Sequence, residues 1–319
     1  MDIRNICCVG AGVIGHSWAT LFAMRGYRVY LQDANRRTLT RALGLIRSNI
    51  EFLRHKGLVR EETTTILERV NTTTKLTEAV ESVDYIQEST YEKYTVKKRL
   101  FKEIESAASK HAILASSSSG LLMTEIQKVT ASPERCLIVH PFNPPHLIPL
   151  VELVPGKATS ALTIQKTYQF MLELGKVPVT LKKEVPGYIA NRLSAALWRE
   201  AIDLVERDVA SVEDVDKALC AGPGIRWAIM GAHLTYHLGG GTGGIRYFID
   251  QLEPAFASWW RDMRVWTSIP DTATKKVIAG VKEIGIVRTR KYEDLVKWRD
   301  DKLVDLLRIL YSCCLLYTS

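Results

Sequence analysis

A histidine and a glutamate that follows it in the chain are the pair best suited to acid–base chemistry. His140 ends the apolar run 137–139, and a proline-rich loop follows it. Glu152 lies inside another apolar run, at 151–154. A carboxylate in an apolar strand is costly to bury without a partner, and an imidazole is a suitable one. Such a pair orients the ring and raises its pKa, which suits a general base, and a structural ion pair is the alternative.

A run of serines follows a further apolar segment. Ser116, Ser117, Ser118 and Ser119 precede Gly120, directly after a predicted strand. A hydroxyl at that place can donate a hydrogen bond to a substrate oxygen, and a serine-rich turn without a ligand is the alternative. No G-x-S-x-G sequence surrounds these serines, which argues against a serine hydrolase.

A glycine-rich turn near the N-terminus has the spacing G-x-G-x-x-G. The sequence GAGVIG follows the apolar run 6–9 and opens a helical pattern. Gly10 allows a tight turn, Gly12 leaves room for a pyrophosphate against the backbone, and Gly15 lets the helix pack close to the sheet. A strand before it and a helix after it distinguish this turn from a chance match, and together they predict a dinucleotide site.

The residues around this turn predict which dinucleotide binds. Val13 and Ile14 begin the helix, whose free N–H groups and positive dipole end attract a diphosphate. Asp33 ends the next predicted strand, where it can accept hydrogen bonds from ribose hydroxyls and would repel a 2′-phosphate. We therefore expect NAD. Arg36 and Arg37 lie nearby and leave NADP open, and FAD is a further alternative.

These residues need a scaffold in which strands alternate with helices. Apolar runs bounded by turn residues predict strands at 6–9, 29–31, 85–87, 112–115, 137–140, 151–154 and 177–181. Helical periodicity predicts helices at 14–24, 38–53, 96–108 and 161–174. The alternation predicts an α/β Rossmann-type doubly wound sheet. Its ligand crevice lies beyond the carboxyl ends of the strands, where the glycines, the serines and His140 are expected.

The pattern changes after Pro186 and Gly187. Residues 189, 193, 197, 201 and 204 recur at helical spacing, and a further helix is predicted at 292–310. Proline followed by glycine ends one element and starts another. We therefore predict an NAD-binding domain at 1–186 and an all-α C-terminal domain at 187–319.

Composition favours an enzyme over a nucleic-acid binder. The net charge of +8 is spread along the chain in short doublets, which suits attraction of anionic cofactors and carboxylates. The six cysteines form no C-x-x-C pair and no zinc-like spacing with histidine, so we predict no metal and a reducing cytoplasm. We expect no signal peptide and no membrane span, and we assign no function to the tail at 311–319.

Taken in order, the motifs resemble those of the 3-hydroxyacyl-CoA dehydrogenase family. GAGVIG is followed by Glu88, Glu92 and Lys97 in an E-x-x-x-E-x-x-x-x-K pattern, and then by SSSSG, HPFNPP, VELVPG and PGYIANRL. The similarity extends from residue 3 to about residue 250. The resemblance implies an N-terminal NAD-binding domain and a helical domain that forms a homodimer. It also places Glu92 and Lys97 beside the nicotinamide ribose.

The same resemblance implies roles for four residues of the catalytic site. His140 is similar to the catalytic base of the family, and Glu152 to its carboxylate partner. Ser119 is similar to the serine that contacts the substrate oxygen. Asn191, in the sequence Ala-Asn-Arg, is similar to the active-site asparagine that the second domain supplies.

The resemblance also narrows the substrate. Members that act on acyl-CoA tend to read S-N-T-S-S where this chain has SSSSG, whereas HPFNPP with PLVELVPG is similar to a branch with L-gulonate and L-carnitine enzymes and lambda-crystallin. Segments 222–231 and 234–241 are most similar to the L-carnitine enzymes. We expect oxidation of the 3-hydroxyl of L-carnitine to 3-dehydrocarnitine. The alternatives are L-gulonate, 3-hydroxybutyryl-CoA and a non-catalytic, crystallin-like NAD-binding protein.

Aromatic residues of the second domain suit a quaternary ammonium, which ring faces hold by cation–π attraction. The candidates are Trp227, Tyr236, Tyr247, Trp259 and Trp260. Core packing or a dimer interface is the alternative for each ring. Arg226 is the candidate partner of the substrate carboxylate, with a structural acid as the alternative.

Overall fold

Eight β-strands form one sheet in the first part of the chain. In chain order they are β1 (Asn5–Val9), β2 (Arg28–Gln32), β3 (Val70–Thr73), β4 (Tyr85–Glu88), β5 (Ile113–Ser116), β6 (Cys136–Pro141), β7 (Leu150–Pro155) and β8 (Val177–Thr180). Their spatial order is β3-β2-β1-β4-β5-β6-β7-β8, and every neighbouring pair is parallel except β6 and β7. This computed structural model describes residues 3–311, so residues 1–2 and most of the tail at 311–319 lie outside it.

Helices cover both faces of this sheet. They are α1 (Val13–Met24), α2 (Arg36–His55), α3 (Thr63–Glu68), α4 (Leu76–Val80), α5 (Tyr94–Ala107), α6 (Met123–Ile126) and α7 (Ala161–Glu173). Residues 6–9 of strand β1 are all apolar and buried. Ile6 and Cys8 belong to one hydrophobic core, while Cys7 and Val9 belong to the other. Successive side chains point to opposite faces, so a strand covered on both sides needs apolar residues at every position.

The strand order reverses at β1, and this reversal positions the glycine turn. β1 pairs with β2 on one side and with β4 on the other. The connection from β2 to β3 and the connection from β4 to β5 therefore run toward opposite edges of the sheet. In open α/β sheets the ligand crevice lies at such a switch point. The predicted Rossmann-type sheet is confirmed, and the carboxyl ends of β1, β4, β5 and β6 lie along one edge.

From Ala190 to Leu310 the chain is helical, as the sequence predicted. The helices are α8 (Ala190–Glu206), α9 (Val212–Ala221), α10 (Pro223–Gly239), α11 (Gly244–Asp262), α12 (Asp271–Glu283), α13 (Gly285–Thr289) and α14 (Tyr292–Leu310). One compact unit runs to Asn191 and includes the chain from Leu303 onward, and the other is Arg192–Lys302. Val304 and Leu307 of α14 belong to a core of the first unit. Among residues 3–311, no helix is both long and apolar enough to cross a membrane.

Candidate active site

His140 and Glu152 are neighbours across an antiparallel strand pair. They are opposite each other in the register of β6 and β7, and Nδ1 of the imidazole lies 2.8 Å from Oε2 of the carboxylate. The two side chains are 6% and 1% exposed, so the contact is shielded from water. A carboxylate only accepts hydrogen bonds, so Nδ1 carries the proton. In the neutral ring, Nε2 therefore keeps its lone pair, and no hydrogen bond to it is present among residues 3–311.

Glu152 also fixes the start of helix α8. Its Oε1 accepts hydrogen bonds from the backbone amides of Ile189 at 2.9 Å and Ala190 at 3.0 Å. Burial alone would raise the pKa of Glu152, but the hydrogen bonds from His140 and from these two amides outweigh it and lower the pKa. The carboxylate is therefore ionised at neutral pH, and it orients the imidazole and the N-terminus of α8 together.

Two aromatic rings hold the imidazole from other sides. The ring centroids of Phe142 and Tyr188 lie 5.3 Å and 5.4 Å from that of His140. Tyr188 is fully buried, has a positive φ of 53°, and donates its hydroxyl hydrogen to the carbonyl of Leu121 at 2.6 Å. Burial is the main reason that the pKa of Tyr188 is raised, so its hydroxyl stays protonated. Tyr188 lies within the PGYIANRL motif but was not among the predicted site residues, because nothing in the local sequence shows that its ring packs against His140.

Ser119 and Asn191 are joined through one backbone contact. The side-chain amide of Asn191 donates to the carbonyl of Ser119 at 2.8 Å. Glu92 holds the same turn from the other side, because its Oε1 accepts from the amide of Ser119 at 2.8 Å and from the hydroxyl of Ser118 at 2.6 Å. Burial alone would raise the pKa of Glu92. The hydrogen bond from Ser118 and the charge of the Lys97 ammonium outweigh that effect, so the pKa is lowered overall. Ser119 itself is exposed.

Lys97 lies in a buried ion pair. Its ammonium is 2.9 Å from both carboxylate oxygens of Glu88 and 3.5 Å from Oε2 of Glu92. Lys97 is 1% exposed and Glu88 is fully buried. Glu88 also accepts hydrogen bonds from the hydroxyls of Thr90 and Ser116, one on each carboxylate oxygen. A network of this kind rigidifies the ends of β4 and β5, and it connects to the serine turn through Glu92.

The glycine turn leaves space where a dinucleotide needs it. Gly10 has a φ of +94°, and a Cβ there would lie 2.7 Å from the carbonyl oxygen of Ser89. A Cβ on Gly15 would lie 1.7 Å from the carbonyl oxygen of Gly10, whereas a Cβ on Gly12 would meet nothing within 4 Å. Gly15 therefore serves close packing of the chain on itself, and Gly12 keeps one face of the turn open.

Asp33 closes the turn from the next strand. Its carboxylate accepts from the amide of Ala11 at 3.0 Å and from that of Asn35 at 2.9 Å. Helix α1 begins without a side-chain N-cap, so its first amides face the open side of the turn. Val13 in this first turn is 62% exposed, and Ile14 is half-buried. The open face, the free amides and the acidic residue fit a dinucleotide.

Alanine substitutions at Gly12 and Gly15 are expected to have different effects, the first on NAD binding and the second on stability. Gly12→Ala should fold normally, because the new methyl group meets open space, but it should raise the NAD dissociation constant at least about tenfold by keeping the pyrophosphate from the backbone. Gly15→Ala should lower the melting temperature, because its methyl group overlaps the turn. Isothermal titration with NAD and thermal unfolding of both variants measure this, and equal NAD affinity in Gly12→Ala and wild type would contradict it.

The substrate candidates Arg226, Trp227 and Tyr236 all lie on helix α10. Arg226 is exposed and Trp227 half-buried, and both precede a break in α10 at Gly231, where φ is +70°. Tyr236 follows the break and stacks on Phe248 with centroids 4.9 Å apart. The ring of Tyr236 is thus packed among aromatic side chains, while no ring contact of Trp227 is present in the described chain.

Comparison with known proteins gives the family. The NAD-binding domain of 3-hydroxyacyl-CoA dehydrogenase matches residues 5–185, and the C-terminal domain of that family matches residues 187–279. L-carnitine dehydrogenase of Streptomyces griseus is 38% identical over 307 residues, which cover 96% of this chain and 90% of the relative. L-carnitine dehydrogenase of Bacillus cereus is 37% identical over 311 residues, which cover 97% and 93%.

Solved structures agree with this assignment. The NAD+-dependent 5-formyl-3-hydroxy-2-methylpyridine 4-carboxylic acid 5-dehydrogenase is similar with a TM-score of 0.83 and 28% identity, covering 97% of this chain and 99% of its own. The 3-hydroxybutyryl-CoA dehydrogenase of Escherichia coli has a TM-score of 0.71 and 27% identity, covering 91% and 61%. This chain belongs to the 3-hydroxyacyl-CoA dehydrogenase family and is an NAD-dependent oxidoreductase that acts on CH–OH groups.

Proposed function

We propose that this enzyme oxidises the 3-hydroxyl of L-carnitine to give 3-dehydrocarnitine, with His140 as general base. The observation that carries the chemistry is the 2.8 Å contact between His140 Nδ1 and the buried carboxylate of Glu152. The substrate assignment is supported by relatives at 38% and 37% identity that bear the name L-carnitine dehydrogenase. Both match nearly the whole chain, so the similarity includes the segments that distinguish branches of the family.

The chain's own residues account for the proton transfer. His140 Nε2 takes the proton of the substrate hydroxyl, and the Glu152 carboxylate stabilises the imidazolium that forms. The hydroxyl of Ser119, which is an exposed residue, and the side-chain amide of Asn191 position the substrate oxygen as it becomes a carbonyl. NAD, when bound, accepts the hydride from the carbon that carries this oxygen. The aromatic rings of Phe142 and Tyr188 keep the imidazole in place during the transfer.

The cofactor site is assigned to the turn at the carboxyl end of β1 and to the neighbouring strand ends. The residues are Gly10, Gly12, Val13, Ile14, Gly15, Asp33, Glu92 and Lys97. Asp33 binds the adenosine ribose in this assignment, and Glu92 with Lys97 forms the side of the site near the nicotinamide ribose. The functional division that we propose is an NAD-binding domain at 1–186 and a helical substrate and dimerisation domain at 187–319.

Recognition of the two charged ends of L-carnitine is assigned to the helical domain. Arg226 pairs with the carboxylate, since a guanidinium binds a carboxylate through two parallel hydrogen bonds. Trp227 and Tyr236 attract the trimethylammonium group through their ring faces. The exposure of Arg226 and the partial exposure of Trp227 support this assignment, because both residues are at least partly accessible to a ligand.

A substrate panel tests the proposal. The purified enzyme is assayed with NAD and L-carnitine, D-carnitine, L-gulonate or 3-hydroxybutyryl-CoA, and NADH formation is followed by absorbance. We expect the highest kcat/KM for L-carnitine. A higher value for L-gulonate or 3-hydroxybutyryl-CoA would replace the substrate but keep the chemistry. Binding of NAD without turnover of any β-hydroxy acid would favour a crystallin-like role.

A homodimer in the cytoplasm completes the proposal. Helices α10 and α11 expose large apolar side chains, as expected for a surface that a second subunit covers. These include Ile225, Ile229, Leu238, Tyr247, Ile249 and Trp260. The described cysteines are all free thiols, which suits a reducing compartment. Sedimentation velocity is expected to give about twice the mass of one chain, and a monomer at micromolar concentration would exclude the dimer.

A further inference from the structure

The loop that follows His140 is held by buried polar contacts that the proposed reaction does not use. We refer to residues 142–149 as the 142–149 loop; it joins β6 to β7. Its first residue, Phe142, packs against the imidazole of His140 with ring centroids 5.3 Å apart. A displacement of this loop therefore changes the position of the imidazole. Contacts that hold the loop in place therefore also help to hold the imidazole of His140 in place.

The first contact joins the loop to helix α1. The hydroxyl of Ser17 lies 2.6 Å from Nδ1 of His146 and accepts a hydrogen bond from the amide of His146 at 3.1 Å. Since the hydroxyl oxygen is the acceptor for the amide, its hydrogen is available to Nδ1. Ser17 is 1% and His146 5% exposed, so water does not compete for these hydrogen bonds. Two groups that are 129 residues apart in sequence are thus held together.

The second contact comes from a lysine just before β8. The ammonium of Lys176 donates to the carbonyl of Pro145 and, at 2.7 Å, to that of Ile148, so it bridges two points of the loop. It also lies 5.2 Å from the ring centroid of Trp18, the neighbour of Ser17 on α1. No carboxylate among residues 3–311 is within ion-pairing distance of this ammonium.

Keeping an ammonium at this place is energetically costly. Burial, with a smaller contribution from the charge of Arg25, lowers the pKa of Lys176 to about 7. An apolar side chain of similar length would fill the same space without that cost. The two carbonyls that Lys176 binds both belong to the 142–149 loop. The contacts therefore indicate that the lysine serves to hold the loop in one arrangement.

Helix α1 connects these contacts to the cofactor turn. The helix has Gly12 at its N-cap, and Ser17 is five residues further on, which is about 7.5 Å along the axis. The stacked rings of Trp18 and Phe22, 5.2 Å apart, anchor the same helix in the core. The loop that follows the base is consequently fastened to the helix whose N-terminus faces the dinucleotide.

We propose that Ser17, His146 and Lys176 are positioning residues that hold the 142–149 loop, and with it His140, in register with helix α1. The catalytic consequence rests on the proposed role of His140 as base. Misplacing a reacting group by about 1 Å costs about 100-fold in rate, so loosening the loop should lower turnover without weakening the cofactor turn itself.

The test compares Ser17→Ala and Lys176→Met with Thr20→Val. Thr20 is a matched control, because its hydroxyl is also buried on α1 but donates to the carbonyl of His16 rather than to the loop. For Ser17→Ala and Lys176→Met we expect kcat on the best substrate to fall about 10- to 100-fold, with the NAD dissociation constant within about twofold of wild type. Thr20→Val should change neither by more than about twofold.

Hydrogen–deuterium exchange of the enzyme without NAD provides a readout that needs no turnover. Peptides covering the 142–149 loop should exchange faster in Ser17→Ala and Lys176→Met and as in wild type in Thr20→Val. If Lys176→Met does not fold, Ser17→Ala decides the outcome. The proposal is overturned by unchanged exchange in the loop, by a kcat loss that Thr20→Val shares, or by a loss explained by NAD affinity. Failure of the substrate panel leaves the exchange result unaffected, so the two failures are distinguishable.

Discussion

Replacing His140 by glutamine is expected to lower kcat about 100- to 10,000-fold, which is the usual contribution of a general base. Glutamine keeps a polar side chain of similar size, but neither of its terminal atoms accepts a proton at neutral pH. His140 lies at the end of β6 rather than in the glycine turn, so the NAD dissociation constant should stay within about twofold of wild type. Steady-state kinetics and fluorescence titration with NAD measure the two quantities.

A second histidine substitution controls for nonspecific effects. The imidazole of His111 is 53% exposed and lies near Asp84, so His111→Gln should leave kcat and NAD affinity unchanged. Normal turnover in His140→Gln would remove this residue from the chemistry. A loss of NAD affinity as large as the loss of kcat would instead assign His140 to the cofactor site.

The sheet was predictable because most of its strands are buried on both faces. A strand covered on both faces reads largely as an apolar run, and residues 6–9, 113–115 and 137–139 follow that rule. The buried polar exceptions in these central strands are Gln87, Glu88, Ser116, His140 and Glu152. Strand β3 was missed, since its sequence Val-Asn-Thr-Thr is polar and its residues are exposed or half-buried at the edge of the sheet. A strand at an edge needs no apolar alternation, and its pairing with β2 alone defines it.

The main chemical pair was also predictable from local sequence. His140 and Glu152 belong to consecutive strands, and the carboxylate stands out in an apolar run, so burial implied a partner close in sequence. Burial does not identify partners far apart in the chain. The contact between Ser17 and His146 spans 129 residues, and that between Tyr188 and Leu121 spans 67. Such contacts depend on how helices pack on the sheet, which no spacing rule describes.

Lys97 illustrates a further limit. The resemblance places Lys97 and Glu92 at the nicotinamide ribose, and the structure adds that the Lys97 ammonium lies 2.9 Å from both carboxylate oxygens of Glu88. Glu88 precedes Lys97 by nine residues, across the turn between β4 and α5. The spacing of Glu88, Glu92 and Lys97 in the sequence does not show which carboxylate the ammonium contacts. In the structure it contacts both, and the shorter contacts are to Glu88, which is fully buried, whereas Glu92 is not.

Glu152→Gln is expected to have an effect as large as the loss of the imidazole, although it changes one oxygen to an amide nitrogen. In the native site, Oε2 accepts from His140, and Oε1 accepts from the amides of Ile189 and Ala190. All three partners are donors, so the site requires two acceptor atoms. A glutamine side chain has only one, and either orientation leaves one set of donors without an acceptor.

Each orientation of the glutamine damages the site differently. With its oxygen toward His140, its NH2 group faces the amides of Ile189 and Ala190, which displaces the start of α8 and therefore Asn191. With its oxygen toward those amides, its NH2 group donates to Nδ1 of His140. The imidazole proton must then reside on Nε2, and that nitrogen no longer accepts a proton from the substrate. The second outcome costs no backbone contact, so we expect it to prevail.

The expected kinetic result is a fall in kcat of about 100- to 10,000-fold, which raising the pH does not restore because the wrong tautomer is neutral. Glu173→Gln, an exposed substitution on α7, is the control and should leave kcat unchanged.

The pKa of Glu152 is lowered in the folded protein, so its carboxylate stabilises the fold at pH values above the usual pKa of 4.5. That contribution is lost as the pH falls through the folded-state pKa. Urea unfolding should therefore show wild type more stable than Glu152→Gln at pH 7, by a margin that narrows below about pH 4.5. Equal kcat in the two proteins at pH 7 would show that the carboxylate does not set the tautomer of His140.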